Sequence, residues 1–247
     1  MPRAERAWDL ARRAFLSLAA ARDCPACKNE RDVESPWCDA CAASVRSPSA
    51  ALLDGVKLVC AARYESPVPE AVRRFKYAGD ASLALAFARL LEPWVRPLAN
   101  ERTALVPVPV HPARLVERGY NQAALLARAL GGRLGLAAHA RLLARSRPGR
   151  SQASLDRSAR QAILTGVFRV RRVPKPLPDR VLLVDDVVTT GATARACVAA
   201  LRGAGLTVTA VVAVARAERF DTDIDAKDES PPRAHQSCII RRLETAG

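Results

Sequence analysis

Two adjacent carboxylates, Asp185 and Asp186, stand between an apolar run and a turn that is rich in threonine and glycine. The apolar run at 181–184 predicts a buried parallel strand, and residues 194–201 predict a helix. Open α/β sheets bind ligands at the carboxyl ends of their strands, and the free N–H groups at a helix start suit a phosphate. Carboxylates that accept hydrogen bonds from sugar hydroxyls, beside donors for a phosphate, predict a site for a 5-phosphorylated ribose.

The turn contains Thr189, Thr190 and Thr193, whose hydroxyls can donate hydrogen bonds, and Gly191, which lets the backbone approach a ligand closely. A plainer interpretation stays open, in which Asp and Thr serve only as turn and N-cap residues between a strand and a helix. The order of strand, acid pair, Thr-Thr-Gly and helix favours the ribose-phosphate site. No Gly-Lys-Ser/Thr follows, which excludes a Walker-type loop, and the Gly-x-Gly-x-x-Gly spacing of dinucleotide-binding loops is absent.

Four of the seven cysteines form two Cys-x-x-Cys pairs with ten residues between them, namely Cys24, Cys27, Cys38 and Cys41. Such pairs are typical of a tetrahedral zinc site, and four thiolate ligands indicate a closed structural site. Two disulfides or a redox dithiol are the alternatives, which a reducing compartment disfavours. Because so short a segment buries little core, we expect it to need a structural Zn²⁺. The remaining cysteines are expected to be buried or incidental thiols: Cys60, Cys197 and Cys238.

Length and composition limit the size of the molecule and the chemistry of its partners. The chain has 247 residues, of which 49% are apolar, enough for one α/β domain and a smaller module. Its formal net charge is +14. Most of its basic residues are arginines, which bind phosphate in bidentate fashion, so the balance favours phosphorylated or nucleic-acid partners. No apolar stretch reaches the ~18 residues of a membrane span.

The first residues combine several arginines with a short apolar run. Trp8, Ala11, Phe15 and Leu18 recur at helical spacing with arginines between them. This pattern favours an amphipathic helix packed on the body of the protein over a secretory signal peptide. We therefore expect a cytoplasmic protein.

The rest of the pattern predicts an α/β fold. We expect the amphipathic helix at 1–22, a zinc ribbon and a linker at 23–57 with the linker from residue 46, the main domain at 58–217, and a flexible tail at 218–247. Strands are predicted at 58–64, 105–108, 166–172, 181–184 and 208–215. Helices are predicted at 68–77, 81–91, 121–130 and 194–201, the third of them capped by Gly131 and Gly132. This alternation predicts a mostly parallel sheet with right-handed crossovers.

Three further segments place basic residues beside glycine or proline, in loops where we expect them to bind a pyrophosphate group. The first is Phe-Lys-Tyr-Ala-Gly-Asp at 75–80. The second is Pro-Val-Pro-Val-His-Pro at 107–112 with Arg-Gly-Tyr-Asn-Gln at 118–122, and the third is the arginine-rich stretch at 143–168. The candidate pyrophosphate ligands are Lys76, Arg114, Arg118 and Arg147. Ordinary solvated surface positions are the alternative for each, and we expect His111 to be a turn residue.

Together with the cysteine pairs and Asp-Asp-Val-Val-Thr-Thr-Gly, these segments make residues 24–217 resemble the ComF family. That family is a phosphoribosyltransferase-like group tied to DNA uptake in natural transformation. The resemblance implies a type I phosphoribosyltransferase core with an added zinc ribbon, and binding of 5-phosphoribosyl-1-pyrophosphate (PRPP) with Mg²⁺. It places Asp185 and Asp186 on the ribose, where they would also serve any catalysis. The same comparison assigns PRPP binding to the residues that follow: Val187, Val188, Thr189, Thr190, Gly191, Ala192 and Thr193.

Three classes of function stay open. The first is a Mg²⁺-dependent phosphoribosyltransferase with an unidentified acceptor, although no residue stands out as a base for one. The second is a protein that handles single-stranded DNA, because residues 141–172 carry nine arginines against the single acid Asp156. Its candidate stacking rings are sparse: Trp37, Tyr64, Tyr77, Trp94 and Tyr120. The third is an adaptor whose zinc ribbon docks a competence helicase.

Overall fold

The computed structural model describes residues 22–145, 166–171 and 178–217. Its strands are β1 (Ala51–Leu53), β2 (Val56–Arg63), β3 (Thr103–Pro107), β4 (Ala137–Ala138), β5 (Leu143–Arg145), β6 (Phe168–Val170), β7 (Arg180–Val188) and β8 (Val208–Arg216). Six of them form one sheet in the order β1-β2-β8-β7-β3-β4, and β5 pairs with β6 separately. All neighbours in the large sheet are parallel except the hairpin β1–β2. The predicted α/β fold with a mostly parallel sheet is confirmed.

Helices cover both faces of this sheet. They are α1 (Asp39–Ala43), α2 (Val68–Tyr77), α3 (Leu83–Val95), α4 (Pro112–Arg118), α5 (Gln122–Leu134) and α6 (Ala192–Gly203). One buried cluster joins α2, α3 and α5 to the sheet, and a second joins α6 and the β5–β6 pair to the opposite face. Because both faces are covered, the central strands consist of nearly continuous apolar residues.

The side chains of β7 alternate between the two faces. Val181 and Leu183 belong to the cluster under α6, whereas Leu182 and Val184 belong to the cluster under α2, α3 and α5. All four are fully buried, and each contributes roughly 1.5–3 kcal/mol through burial. The same alternation extends to the two carboxylates that follow, so Asp185 and Asp186 face opposite sides of the sheet.

The structure corrects three details of the sequence prediction. Strand β7 continues past the acid pair to Val188, because β8 keeps pairing with it there. The predicted helix end at Gly131 is wrong, since α5 runs on to Leu134 and ends at Gly135 with φ 74°. Gly131 instead packs inside the fold, where a Cβ would lie 2.6 Å from the carbonyl oxygen of Leu136. The segment 46–57 is also more than a linker, because it contains β1 and the start of β2.

Several expectations fall on parts of the chain that the structure does not describe. The amphipathic helix before residue 22 and the tail after residue 217 lie outside the described residues, as does Cys238. Most of the arginine-rich stretch lies outside them too. Within residues 22–145, 166–171 and 178–217, no helix is long and apolar enough to cross a membrane.

Candidate ligand site and cysteine cluster

The strand connections reverse direction at the carboxyl ends of β3 and β7, and we call this place the crevice. β3 leads through α5 to β4 on one side, whereas β7 leads through α6 to β8 on the other. The ladder between β3 and β7 ends at Pro107 opposite Val184, but β7 runs on beside β8 to Val188. The last residues of β7 therefore border a crevice of the kind in which open α/β sheets bind ligands.

Asp185 lies at this end of β7 and faces α6. It shares a row of the sheet with Ala213 of β8 and Cys60 of β2, and its charge also acts on Cys197 of α6. Burial in this apolar setting raises the pKa of Asp185 well above its usual range, and the neighbouring charge of Asp186 raises it further. Asp185 is thus a carboxyl group that holds its proton more tightly than an exposed one.

Asp186 is 8% exposed and faces α2. Its Oδ2 lies 3.0 Å from Nζ of Lys76, the penultimate residue of that helix. Its Oδ1 accepts a hydrogen bond of 2.7 Å from the N–H of Val187, and its own N–H donates to Oδ1 of Asp185 at 2.8 Å. Lys76 therefore balances one charge of the acid pair, at a position where both partners are mostly buried.

The Arg-Gly-Tyr-Asn-Gln segment holds the end of α2 that carries Lys76. Tyr120 donates its hydroxyl to the carbonyl oxygen of Phe75 at 2.5 Å, and its ring packs against that of Phe75 at 6.3 Å between centroids. Nε2 of Gln122 donates to the carbonyl oxygen of Lys76 at 3.4 Å. Two segments that are remote in sequence thus combine to place Lys76 opposite Asp186.

Arg118, a candidate pyrophosphate ligand, contacts α2. Its Nη2 donates to the hydroxyl of Tyr77 at 2.8 Å, its Nη1 donates to Gln122 at 3.3 Å, and its guanidinium lies 4.6 Å from the centre of the Tyr77 ring. Arg114 is exposed one turn earlier on α4. His111 caps α4 by accepting from the N–H of Ala113 at 3.2 Å, which confirms it as a turn residue.

The loop from β7 to α6 presents hydrogen-bond donors to solvent. Thr189, Thr190 and Thr193 are exposed. Gly191 precedes the helix with φ 74°, a left-handed conformation that favours glycine, and offers no side chain to cap α6. The positive end of the helix dipole also lies here. The N–H of Ala192 donates a long hydrogen bond of 3.4 Å to the hydroxyl of Thr190. The exposed hydroxyls, a helix start whose N-cap residue has no side chain and a positive dipole end together suit an anionic group such as a phosphate.

Arg195 braces this loop, a contact that the sequence analysis missed. Its Nη1 donates to the carbonyl oxygen of Thr190 at 3.0 Å, and its Nε donates to Oδ1 of Asp54 at 2.9 Å. Asp54 lies in the turn between β1 and β2, 141 positions away in sequence. The sequence around Arg195 or Asp54 does not indicate this pair. The β1–β2 turn and α6 come together only because β2, β8 and β7 are neighbours in the sheet.

The four cysteines of the Cys-x-x-Cys pairs come together. Their Sγ atoms all lie within 4.8 Å of one another, and those of Cys27 and Cys38 are 3.4 Å apart. A tetrahedral zinc ion with Zn–S bonds of about 2.3 Å separates its thiolates by about 3.8 Å. The donor set and its spacing therefore fit a metal ion such as zinc, and all four residues are free thiols rather than disulfides.

An ionic network joins this cysteine-bearing segment to the core. Arg74 of α2 donates two hydrogen bonds of 2.9 Å to the carboxylate of Asp23, and its Nε lies 3.0 Å from Asp80. Asp80 also lies 3.8 Å from the buried Arg31 and accepts a hydrogen bond from the hydroxyl of Ser82. The hydrogen bonds from Arg74 lower the pKa of Asp23 to about 2. Asp80, the last residue of the Phe-Lys-Tyr-Ala-Gly-Asp motif, thus serves this joint.

Apolar contacts complete the joint. Trp37 is 2% exposed and packs edge-on against Phe87 of α3, with 6.2 Å between ring centroids. Its Nε1 donates to the carbonyl oxygen of Pro67 at 2.8 Å, so the buried indole has no unsatisfied donor. Cys24 and Cys38 belong to the same buried cluster as α2 and α3. The cysteine-bearing segment is therefore part of the core and is not tethered loosely to it.

The predicted site residues fall into three groups. Asp185, Asp186 and Lys76 meet at the crevice, and the Thr/Gly loop follows directly. Arg118 and Arg114 lie on α4, the helix that follows β3, where Arg118 contacts Tyr77. Arg147 lies outside the described residues.

Comparison with known proteins identifies relatives over most of the chain. Residues 98–232 match the model of the phosphoribosyl transferase domain. Competence protein F of Haemophilus influenzae is 32% identical over 167 residues, which are 65% of this chain and 73% of that protein. DNA utilization protein YhgH of Salmonella typhi is 34% identical over 143 residues, 56% of this chain and 62% of that protein. Competence protein ComFC of Bacillus subtilis is 27% identical over 182 residues, 73% of this chain and 72% of that protein.

Proposed function

Because the chain belongs to the ComF family and contains a phosphoribosyl transferase domain, we propose that it binds PRPP and acts in the handling of single-stranded DNA during natural transformation. The DNA part is supported by the names of its relatives, which are competence and DNA utilization proteins. The PRPP part is carried by one observation, the meeting of an acid pair, a lysine and a Thr/Gly loop in the crevice between β3 and β7.

Asp185 and Asp186 supply acceptors for the two ribose hydroxyls. A charge-assisted hydrogen bond to the ionised carboxylate of Asp186 contributes about 1.5–3 kcal/mol. The start of α6, with the hydroxyls of Thr189, Thr190 and Thr193, supplies donors for the 5-phosphate. The spacing suits one ligand, since the loop begins three residues after Asp186 and ends where the helix starts.

Lys76 has two roles in this proposal. Its ammonium group lies 3.0 Å from Asp186, so it limits the repulsion between the two carboxylates before a ligand binds. A pyrophosphate group that enters the crevice would also meet Lys76, with Arg114 and Arg118 on the neighbouring helix. When Mg²⁺ accompanies the ligand, it neutralises pyrophosphate charge, and the carboxylate oxygens of Asp185 and Asp186 are ligands of the kind that it prefers.

For the cysteine cluster we propose a structural Zn²⁺ held by Cys24, Cys27, Cys38 and Cys41. Four protein thiolates leave no open coordination position, so the ion would stabilise the ribbon and take no part in a reaction. The ionic joint fixes the ribbon to the core, which suits a rigid docking module for a competence helicase.

Transfer of the phosphoribosyl group is a second candidate function, favoured by the match to the phosphoribosyl transferase domain. In such a transfer the C1–O bond to pyrophosphate breaks and a bond from C1 to the acceptor forms. Incubation of the protein with PRPP, Mg²⁺ and individual nucleobases should then release pyrophosphate. An absence of release with every base would leave PRPP binding as the function of the site.

Calorimetric titration of PRPP with Mg²⁺ into the full-length, zinc-loaded chain tests the main proposal. We expect saturable binding that Asp186→Asn weakens at least about tenfold, since one charge-assisted hydrogen bond is lost. Asp179→Asn is the matched control, because Asp179 lies at the amino end of β7 and forms an exposed ion pair with Arg102. Equal affinity of the wild type and Asp186→Asn, or no binding by the folded wild type, would overturn the proposal.

A further inference from the structure

The ring of Tyr77 is exposed at the end of α2, directly after Lys76. Tyr77 is 60% exposed, and Leu115 on α4 is 43% exposed. Arg118 connects the two, because it contacts Tyr77 and follows Leu115 by three residues on α4, where such positions are neighbours. We call Tyr77, Leu115 and Arg118 the Tyr77 surface.

Contacts with Arg118 hold the Tyr77 ring in place. The guanidinium lies 4.6 Å from the ring centre and also donates a hydrogen bond of 2.8 Å to the phenol oxygen. Nη1 of Arg118 is anchored in turn by Gln122. An aromatic side chain held in this way loses little conformational freedom when a planar group stacks on it, which favours binding.

The other four candidate rings among the described residues are packed within the fold. Trp37 is buried against Phe87, and Tyr120 packs on Phe75 and donates its hydroxyl to the same residue. Tyr64 and Trp94 are partly buried against the core cluster under α2, α3 and α5. Of the five candidate rings that the sequence offers, Tyr77 is the one whose residue is mostly exposed.

Positive charge surrounds the Tyr77 surface. Arg73 is exposed one turn before Tyr77 on α2, and Arg114 is exposed one turn before Arg118 on α4. Glu70 and Glu117 are the acidic residues on the same two helices. Arginines on both sides of an exposed ring match the phosphates on both sides of a base in a single strand, and nucleic-acid grooves combine these two features.

We propose that the Tyr77 ring stacks an unpaired base of single-stranded DNA while Arg73 and Arg114 contact the backbone phosphates. This inference deepens the DNA-handling part of the proposed function and rests on it. It places the strand beside the PRPP crevice, because Tyr77 directly follows the lysine that faces Asp186. Stacking on one ring has little sequence preference, since every base has a flat face.

Anisotropy titrations of two labelled oligonucleotides test the proposal. One is oligothymidylate, and the other is an abasic strand of the same length, which keeps the phosphate charges but has no bases. We expect Tyr77→Ala to weaken binding of oligothymidylate about tenfold, the loss typical of one stacked base, and to leave binding of the abasic strand unchanged. Tyr77→Phe keeps the ring and should retain most of the affinity.

Three outcomes would overturn this inference. Equal weakening with both strands would mean that the variant disturbs charge or folding, and no weakening with either would mean that Tyr77 does not stack a base of the strand. If Tyr77→Ala binds oligothymidylate normally but loses binding of free thymine, the ring serves a small acceptor instead.

Calorimetry with PRPP and Mg²⁺ separates this inference from the proposed function. Tyr77→Ala should retain saturable PRPP binding although Arg118 loses its contact with the ring, whereas a wild type that does not bind PRPP contradicts the proposed function and leaves the stacking result to stand alone.

Discussion

The joint between the cysteine-bearing segment and the core, and the crevice between β3 and β7, both combine basic and acidic side chains, but they pair them differently. In the joint, Arg74 contacts both Asp23 and Asp80, and Arg31 lies buried beside them. In the crevice, the ammonium group of Lys76 contacts only Asp186 of the two acids, Asp185 faces the opposite side of the sheet, and the threonine hydroxyls that follow are exposed. Charges that are satisfied within the protein contribute to stability, whereas a pair of carboxyl groups with one basic partner and a loop with exposed donors are available to a ligand.

The Phe-Lys-Tyr-Ala-Gly-Asp motif shows how closely these two regions are connected. Phe75 fills the core, Lys76 faces the crevice, Tyr77 is exposed, and Asp80 belongs to the joint. One short segment therefore positions both regions, although the sequence alone indicates only that it is basic and lies near a turn. The comparison predicts that changes in the joint alter stability and changes in the crevice alter ligand binding.

Removal of the metal from the cysteine cluster should have the largest effect and should break the joint. Structural zinc contributes about 10–16 kcal/mol of apparent binding free energy in small zinc modules. We expect Cys38→Ser to lose the metal and to expose the backbone amides of residues 23–45 to rapid hydrogen exchange, while the amides of β7 and β8 stay protected. Hydrogen-exchange mass spectrometry with a zinc assay measures both effects.

Cys60→Ala is the matched control for the metal site, because Cys60 is a buried thiol of β2 outside the cluster. It should keep the zinc content and the protection of residues 23–45. If residues 23–45 stay protected in the metal-free Cys38→Ser variant, packing around Trp37 holds the ribbon and the metal does not.

Arg74→Ala should have the next largest effect, because it leaves two carboxylates of the joint without their shared partner. Removal of one member of a buried ion pair costs about 3–5 kcal/mol. Asp23 is partly exposed, so we expect about 2–3 kcal/mol here. Urea denaturation at neutral pH gives the free energy of unfolding. The exposed neighbour Arg73→Ala should change it by less than about 0.5 kcal/mol, and an equal loss in both variants would contradict the role assigned to the joint.

The sequence predicts those features of the fold that depend on local pattern. The apolar runs of β7 and β8, the helix at 68–77 and the parallel sheet all follow from periodicity and from alternating elements. The cysteine spacing likewise predicts that the four thiols meet. Each of these features depends on residues that are close in sequence or repeat within one element.

Features that depend on contacts between remote elements could not be predicted. The end of α5 is a local feature that the sequence also predicts wrongly: the helix continues past Gly131 to Leu134, and the turn that follows brings the carbonyl oxygen of Leu136 to 2.6 Å from where a Cβ on Gly131 would lie. The alternation of β7 implies that Asp185 and Asp186 face opposite sides, but the pairing of Lys76 with Asp186 requires α2 and β7 to be placed next to each other. The pairs Arg74–Asp23 and Arg195–Asp54 depend on tertiary structure in the same way.

A change of pH should sharpen the comparison, because the two regions respond in opposite directions. The lowered pKa of Asp23 means that its stabilisation is present above about 4 and is lost as the pH falls towards about 2. The raised pKa of Asp185 means that its contribution is present below about 4 and is lost as the pH rises towards about 8. Asp185→Asn resembles the protonated form, so this variant should gain stability relative to the wild type as the pH rises through that range.

Urea denaturation of the wild type and Asp185→Asn at several pH values measures this difference. Asp179→Asn, which removes an exposed carboxylate of an ion pair at the other end of β7, should show no such gain. A difference between the wild type and Asp185→Asn that stays constant across the range would mean that Asp185 ionises like an exposed carboxyl group.

Thr193→Val should have the smallest effect on stability and should separate the crevice most cleanly from the joint. Valine has nearly the shape of threonine and a similar helix propensity, and Thr193 is exposed in the first turn of α6. We therefore expect the free energy of unfolding to change by less than about 0.5 kcal/mol. The affinity for PRPP with Mg²⁺ should nevertheless fall about tenfold by calorimetry, because one hydroxyl donor to the 5-phosphate is lost. Thr207→Val, in the exposed turn before β8, is the control and should alter neither quantity. Unchanged PRPP affinity in Thr193→Val would mean that the backbone N–H groups of α6 hold the phosphate without this hydroxyl.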